Sequence, residues 1–344
     1  MKLSDFNFTL PERLIAQEPV TPRDHCRLMV LQNGTTPAHR HFYDITDYLQ
    51  AGDILVLNNS KVIPARLSAT KPTGGGVEIL LVREIEDGQW QAMIKNLTAQ
   101  EAGKVLSITP EWHAIAQEKL DDTVWHIVFN KQGEELKSLI EQHGNLPTPP
   151  YITRTTKGNE YQTVFASQEG SVAAPTSGFH FTPELLQTLK QKGVIITEVT
   201  LHVGPGTFSP IRVENFQEHR MHPEFATISP ETADIINTAK KESRRVISVG
   251  TTSTRTLEAF ADEQGHIAAG SKEVDIFIYP GYQFRIIDGL ITNFHLPQST
   301  LLLLVCAFAE YKKNGGRERM LAAYQEAIDK GYMFYSFGDA MMIL

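Results

Sequence analysis

The chain has 344 residues, of which 41% are hydrophobic and 21% charged, enough apolar material for a real core, so a disordered chain is excluded. Its net charge of −8 (32 basic against 40 acidic residues) excludes a generally basic nucleic-acid surface, though not a local one. The only two cysteines, Cys26 and Cys306, lie far apart, which excludes a disulfide scaffold and a thiolate metal cluster.

Near the N-terminus, Asp5 and Pro11 interrupt the apolar stretch that a signal peptide needs. The longest apolar run, Leu301 to Ala309, is about half of what a bilayer span requires and reads as a buried helix. A soluble, cytoplasmic chain is expected, with no membrane contact.

Asp53–Leu57 (DILVL) reads as a strand, followed by Asn58-Asn59-Ser60-Lys61-Val62-Ile63-Pro64-Ala65-Arg66, a crowd of amides and cations at a strand end. From about residue 62 to 130 the pattern is strand and turn. VEILLVREIE and QWQAMIKNL flank Asp87-Gly88, a hairpin signal, because both turn positions tolerate positive φ. KVLSI and TVWHIVF add strands, so this stretch predicts a small barrel or sandwich. The helix EELKSLIEQH stops at Gly144, and Leu146-Pro147-Thr148-Pro149-Pro150 marks a domain boundary.

Beyond residue 170 the period changes to alternating helix and strand. Thr182-Pro183 and Ser229-Pro230 open helices, with the hydroxyl residue as cap and proline in the first turn. VIITEVTLHV, VISVG and DIFIY read as strands, TTSTRTLEAFADEQG and ERMLAAYQEAIDKG as helices. Such alternation implies α/β layering around a mixed, largely parallel sheet.

Chemistry-bearing residues cluster in this second half. His180, His202, His219 and His222 fall within 43 residues, and His295 follows later. His180 sits in a loop entering a helix, with Ser177 and Phe179 before it. His202 runs out of a strand into Gly204-Pro205-Gly206-Thr207-Phe208, at the kind of strand end where α/β sheets bind ligands. The third glycine of a dinucleotide fingerprint is absent; that position is Ser209. His219-Arg220-Met221-His222 lacks the spacing of a helical zinc motif. Gly250-Thr251-Thr252-Ser253-Thr254-Arg255 either caps a helix or forms an anion site with Arg255 as its clamp. The basic runs at Lys240-Lys241 and Lys312-Lys313 read as solvated helix faces or as phosphate contacts. From residues alone, a metal-free α/β enzyme using histidine acid–base chemistry is expected.

Long motifs then carry a resemblance over almost the whole chain: LIAQEPVTPRD, GDILVLNNSKVIPARL, LPTPPYI, YQTVFASQEGSVAAPTSGFHFT, TLHVGPGTF, MHPE, VGTTSTRTLE, IFIYPGYQF, TNFHLPQSTLLLLVCAFA and YSFGDAMMIL. The sequence resembles the S-adenosylmethionine:tRNA ribosyltransferase-isomerases of queuosine biosynthesis. It departs from the family pattern at Ser60, at Ser177-Gly178-Phe179 and at Phe337, none of them an acid, base or charged residue.

The resemblance implies a discontinuous α/β domain (residues 1–59 and 151–344) with an inserted six-stranded β-barrel domain (60–150). It implies transfer and isomerisation of the ribosyl group of S-adenosylmethionine onto 7-aminomethyl-7-deazaguanine at the tRNA wobble position. Epoxyqueuosine forms, and adenine and methionine leave. S-adenosylmethionine is then a consumed substrate; no further cofactor or metal is implied, and a monomer is expected. Candidate catalytic residues are His180, His202, His222, His295 and Glu224. Glu224 either balances the sulfonium or holds a histidine tautomer. Thr252, Ser253 and Arg255 are candidates for the methionine carboxylate, with Gly204, Gly206, Phe208, Asn293, Ser177 and Phe179 as further substrate contacts. Asn58, Asn59, Lys61, Arg66 and Arg154 are expected on the tRNA, with a splayed base stacked on Phe179, Tyr161 or Phe208. The competing readings are a non-catalytic tRNA-binding module, which needs no histidine loops, and a metal-dependent hydrolase.

Overall fold

In the computed structural model of the chain, residues 1–154, 156, 160–204, 211, 213–312 and 315–344 are described. Gly206 and Phe208 lie outside the described residues. Two compact units are present: Met1–Ser60, Pro150–Gln168 and Ala174–Leu344 form one, Lys61–Pro149 and Glu169–Ala173 the other. The sequence pattern assigns Glu169–Ala173 to the α/β body instead. The segment joins the smaller unit because Ile63 donates its N–H to the Ser171 carbonyl at 3.0 Å and Lys61 pairs with Glu169 at 2.8 Å.

In chain order, the larger unit opens with β1 (Arg27–Leu31), β2 (Ala38–His41) and β3 (Ile54–Asn58). After β4 (Ser60–Val62) come β5 (Arg66–Thr70), β6 (Gly76–Glu86), β7 (Gln89–Lys95), β8 (Val105–Ser107), β9 (His113–Lys119), β10 (Val124–Phe129) and α1 (Gly133–His143). After β11 (Gln168–Ser171), which pairs with β4, the chain continues through α2 (Pro183–Gln191), β12 (Ile195–Leu201), β13 (Glu224–Ile228) and α3 (Pro230–Lys241). It ends through β14 (Val246–Val249), α4 (Gly250–Phe260), β15 (Gly270–Val274), β16 (Gly289–Asn293), α5 (Thr300–Tyr311), α6 (Gly316–Asp329) and β17 (Ala340–Ile343).

The smaller unit is a closed antiparallel barrel in the order β10-β7-β6-β5-β8-β9. Closure leaves no unpaired sheet edge. Burial alternates along β7 and β10, which turn Trp90, Ala92, Ile94, Trp125, Ile127 and Phe129 inward. Trp112 completes a core that thereby contains all three tryptophans of the chain. Asp87-Gly88 makes the expected β6–β7 turn, with Gly88 at φ 77°. Gly144 ends α1 for a different reason: a Cβ there would sit 1.9 Å from the Pro64 carbonyl oxygen, so close backbone approach demands glycine.

The larger unit is built on a nine-stranded mixed sheet, β15-β13-β12-β3-β14-β16-β17-β1-β2. Its centre, β12-β3-β14-β16, is parallel. Every residue of β3, β14 and β16 is buried, as in strands covered on both faces. Helices α3 and α4 pack on these strands, and α2 places Leu185 and Leu189 in a core with Leu55, Leu57, Ile247 and Val249. The expected caps are made: Thr182 Oγ1 accepts from Leu185 N–H at 3.1 Å, and Ser229 Oγ from Thr232 N–H at 3.1 Å. The apolar run forms the buried α5, and among the described residues no helix is long and apolar enough to cross a membrane.

Two local expectations are corrected. DIFIY is not a strand: the partner of β13 is Gly270–Val274, and beyond it the Ile276 carbonyl turns to accept from Arg255. Helix α4 ends at Phe260 rather than Gly265, because Ala261 bridges to Ile267 and the Asp262 carboxylate accepts from the Gln264 and His266 N–H groups.

Candidate active site

Because β12, β14 and β16 all run parallel to the central β3 line, their C-terminal ends share one edge of the sheet. That edge is where sheets of this type bind ligands. Val203, Gly250–Thr252 and the segment from Asn293 to Leu301 follow these strands and wall a cavity of about 140 Å³. Tyr151, Ala174–Ser177, Tyr335 and Ser336 complete its lining.

The α4 N-terminus opens into this cavity without a side-chain cap. Its first-turn N–H groups are free of intrahelical partners and attract negative charge. Thr252, 8% exposed, has a buried Oγ1 with no hydrogen-bond partner among the described residues. Gly250 begins the helix at φ +88°, with Ser177 close beside it. Two further cavity residues, Gln298 (φ 55°) and Tyr335 (φ 71°), hold left-handed backbone that non-glycine residues rarely adopt. Such strain persists only where surrounding structure enforces it, and it concentrates at functional sites. Here the Tyr335 N–H donates to the Phe294 carbonyl at 3.1 Å, and its ring stacks on Tyr151 at 4.5 Å. The Tyr151 hydroxyl meets Ser336 Oγ at 2.6 Å.

The histidines separate into distinct settings. His295 lines the cavity, with Nε2 at 2.8 Å from Thr292 Oγ1 and its backbone N–H donating to the Tyr324 hydroxyl. His180 is buried behind the wall: Nδ1 meets Cys26 Sγ at 3.1 Å and Nε2 meets Asn293 Nδ2 at 3.0 Å. With both nitrogens engaged, it is placed to position neighbours rather than to touch a ligand. His202 is half-buried, its Nδ1 without a partner among the described residues, and it does not line the cavity. His222 is exposed and also does not line it.

Burial alone pushes His295 down to about 3; burial, then the charge of Arg23, does the same to His180. Both rings are neutral through the physiological range. In the unfolded chain each would titrate near 6.5. The folded state therefore binds fewer protons between pH about 3 and 6.5, so this stabilisation is complete above that window and lost as pH falls through it. Each ring should remove up to about 1.4 kcal/mol per pH unit there. Replacing His295 with glutamine should flatten the pH dependence of urea unfolding below pH 6 by that slope; identical slopes would refute the assignment.

Glu224 and Arg255 form a buried ion pair between Oε2 and Nη1. Glu224 also accepts the Gly204 N–H at 3.0 Å, and Arg255 donates to the Val274 and Ile276 carbonyls at 3.3 and 3.2 Å. Arg255, expected as a carboxylate clamp, is engaged by these partners and does not line the cavity. Ser253 likewise donates to the Val249 carbonyl at 2.8 Å. Of the expected trio, only Thr252 faces the cavity.

The expected tRNA contacts divide. Asn58 is a splice between strands: its Oδ1 accepts from Leu201 and Ser60 N–H, and its Nδ2 donates to the Leu201 carbonyl. Asn59 bonds Glu198 and Thr200. Tyr161 and Phe179 are buried in the core, packed edge-on to each other, so neither can stack a splayed base. Lys61 is exposed and paired with Glu169; Arg66 reaches Glu78 and the Thr148 carbonyl. Arg154 donates to the Gln17 carbonyl and meets Glu160 at 2.8 Å. The Arg66 and Arg154 pairs are half-buried, whereas the Lys61 pair is solvent-exposed and weak, so a phosphate can replace its carboxylate at little cost. Among the described residues, no group of three His, Cys, Asp or Glu gathers as a metal site would require.

A family model described as "Queuosine biosynthesis protein" matches residues 3–343. The S-adenosylmethionine:tRNA ribosyltransferase-isomerase of Desulfitobacterium hafniense is 49% identical over all of both chains, and that of Thermotoga maritima 46% identical over all of both. The chain belongs to this family. A crystal structure of the S-adenosylmethionine tRNA ribosyltransferase from Thermotoga maritima covers 99% of the chain and all of its own, at 38% identity and a TM-score of 0.56.

Within the ribosyltransferase-isomerase family framework, sequence reasoning names Ser177, Asn293, Thr252 and His295 but misses Tyr151, Thr176, Tyr335 and Ser336. Each missed residue lies inside a family motif: LPTPPYI, AAPTSGFHFT or YSFGDAMMIL. Their signal was membership of a long motif, because none has chemistry that stands out in isolation.

Proposed function

We propose that the chain transfers the ribosyl group of S-adenosylmethionine to 7-aminomethyl-7-deazaguanine at the tRNA wobble position. The ribosyl group isomerises to form epoxyqueuosine, and adenine and methionine are released. The observation that carries the reading is the buried Thr252 Oγ1, without a partner among the described residues, at an uncapped helix N-terminus inside the cavity at the sheet's C-terminal edge. The methionine carboxylate fits that end, accepting from α4 N–H groups and the Thr252 hydroxyl. The stacked Tyr151 and Tyr335 offer an aromatic wall for adenine.

The sulfonium acidifies the adjacent ribose C–H, so the site needs a base; the leaving adenine needs a proton. His295, neutral as it stands, enters as a base or hydrogen-bond partner rather than as the resting acid. S-adenosylmethionine is consumed, and the reaction asks for no further cofactor. The enzyme acts in this reading as a cytoplasmic monomer on its tRNA.

The test is adenine release with tRNA bearing the aminomethyl base and with tRNA lacking it, with chelator present. Release confined to the modified tRNA is expected. Thr252→Val should raise the KM for S-adenosylmethionine about fivefold or more, for one charge-assisted hydrogen bond lost. Tight tRNA binding without adenine release would instead favour a binding module.

A further inference from the structure

Behind the cavity wall, four side-chain contacts form one chain whose polarity is determined at a single point. The Tyr335 carbonyl can only accept, and the Asn293 amide lies 3.2 Å from it, so the amide nitrogen, not the oxygen, faces that way. The second N–H of the same nitrogen then points to His180 Nε2 at 3.0 Å, which must offer a lone pair. A neutral imidazole with Nε2 unprotonated carries its proton on Nδ1. That proton meets Cys26 Sγ at 3.1 Å, across 154 residues of sequence. On the other side, Asn293 Oδ1 accepts the hydroxyls of both Thr176 and Ser177, at 3.1 and 3.0 Å. Each hydroxyl has one proton, so both oxygens keep only lone pairs for the cavity they line.

We infer that Asn293, oriented by the Tyr335 carbonyl and held in that orientation by His180 and Cys26 behind it, makes Thr176 and Ser177 hydrogen-bond acceptors toward the cavity, so that the ligand groups seated against them are donors, sugar hydroxyls or an ammonium. The cavity thus has a donor end at the α4 N-terminus and an acceptor wall beside it. Cys26 is a positioning residue, 3% exposed and out of reach of the ligand. Without its sulfur, the buried Nδ1–H has no acceptor. The Nε2–H tautomer then gains, and two N–H groups confront each other at Asn293. The ligand half of the inference rests on the reading that S-adenosylmethionine occupies this cavity.

Nitrogen-15 NMR of histidine-labelled protein, with His180→Gln to assign the signal, reads the tautomer directly. A protonated Nδ1 and a bare Nε2 on His180 are expected; a protonated Nε2 in the wild type overturns the inference. Calorimetry with S-adenosylmethionine, tRNA omitted, reads the wall. Ser177→Ala and Thr176→Val should each weaken binding about fivefold, the worth of one neutral hydrogen bond. Cys26→Ala should move His180 toward the Nε2–H form and weaken binding about threefold to tenfold. Cys26→Ser, which keeps an acceptor in place, should recover the tautomer and most of the affinity. If Thr252→Val weakens binding while Cys26→Ala and Ser177→Ala do not, the inference is wrong and the cavity reading stands. If Thr252→Val is silent as well, the cavity reading fails and takes the ligand half with it, and the tautomer decides the other half.

Discussion

Arg255→Ala is expected to destabilise the chain by about 3–5 kcal/mol, the usual cost of removing one partner from a buried ion pair. The guanidinium and the Glu224 carboxylate are 5% and 3% exposed. Arg255 also satisfies two backbone carbonyls beside β15, and Glu224 holds the Gly204 N–H at the end of β12. Truncation leaves a carboxylate stranded without its countercharge and two carbonyls without donors. Family motifs in the sequence suggest a different effect, a raised KM for S-adenosylmethionine. Urea unfolding separates the two: an unchanged midpoint with a raised KM would restore the carboxylate role. Pairing Arg255→Met with Glu224→Gln should recover part of the loss, because no lone charge then remains buried.

Replacing His295 with alanine should lower the rate of adenine release in a single turnover by roughly 10²-fold or more, the usual worth of a positioned acid–base group. Of the four histidines the sequence nominates, it alone lines the cavity. The loss should fall on kcat, with a smaller change in the KM for S-adenosylmethionine. Its backbone N–H, which donates to Tyr324, is untouched by the substitution, so the local chain should hold. A rate within threefold of wild type would remove His295 from the chemistry and direct attention to His202.

Where local chemistry decides structure, the sequence was readable. Thr182 and Ser229 cap helices because a hydroxyl before proline can do little else there. Asp87-Gly88 turns a hairpin for an equally local reason. Misreadings arose where a distant partner decides. DIFIY has the alternation of a strand, but the β13 ladder ends at the Glu224–Val274 pair, and Arg255 claims the next carbonyl. Asn58 sits among cations at a strand end, as a binding residue would, yet both ends of its amide serve strand backbone. Cys26, as a lone cysteine, carries no pattern in the sequence; its meaning lies in His180, reached only by folding. The cavity's motifs were all visible as sequence, whereas the division of labour among the histidines depends on which side of the wall each occupies.

The confinement of Trp90, Trp112 and Trp125 to the barrel core has an optical consequence. Indole emission from this chain comes from the inserted unit alone, while the α/β unit, which carries the cavity, has tyrosine but no tryptophan. Of two unlabelled signals, fluorescence excited at the red edge therefore reports the barrel core alone, whereas far-ultraviolet dichroism sums the backbone of both units. Their divergence on heating would report whether the insertion melts with its host or apart from it.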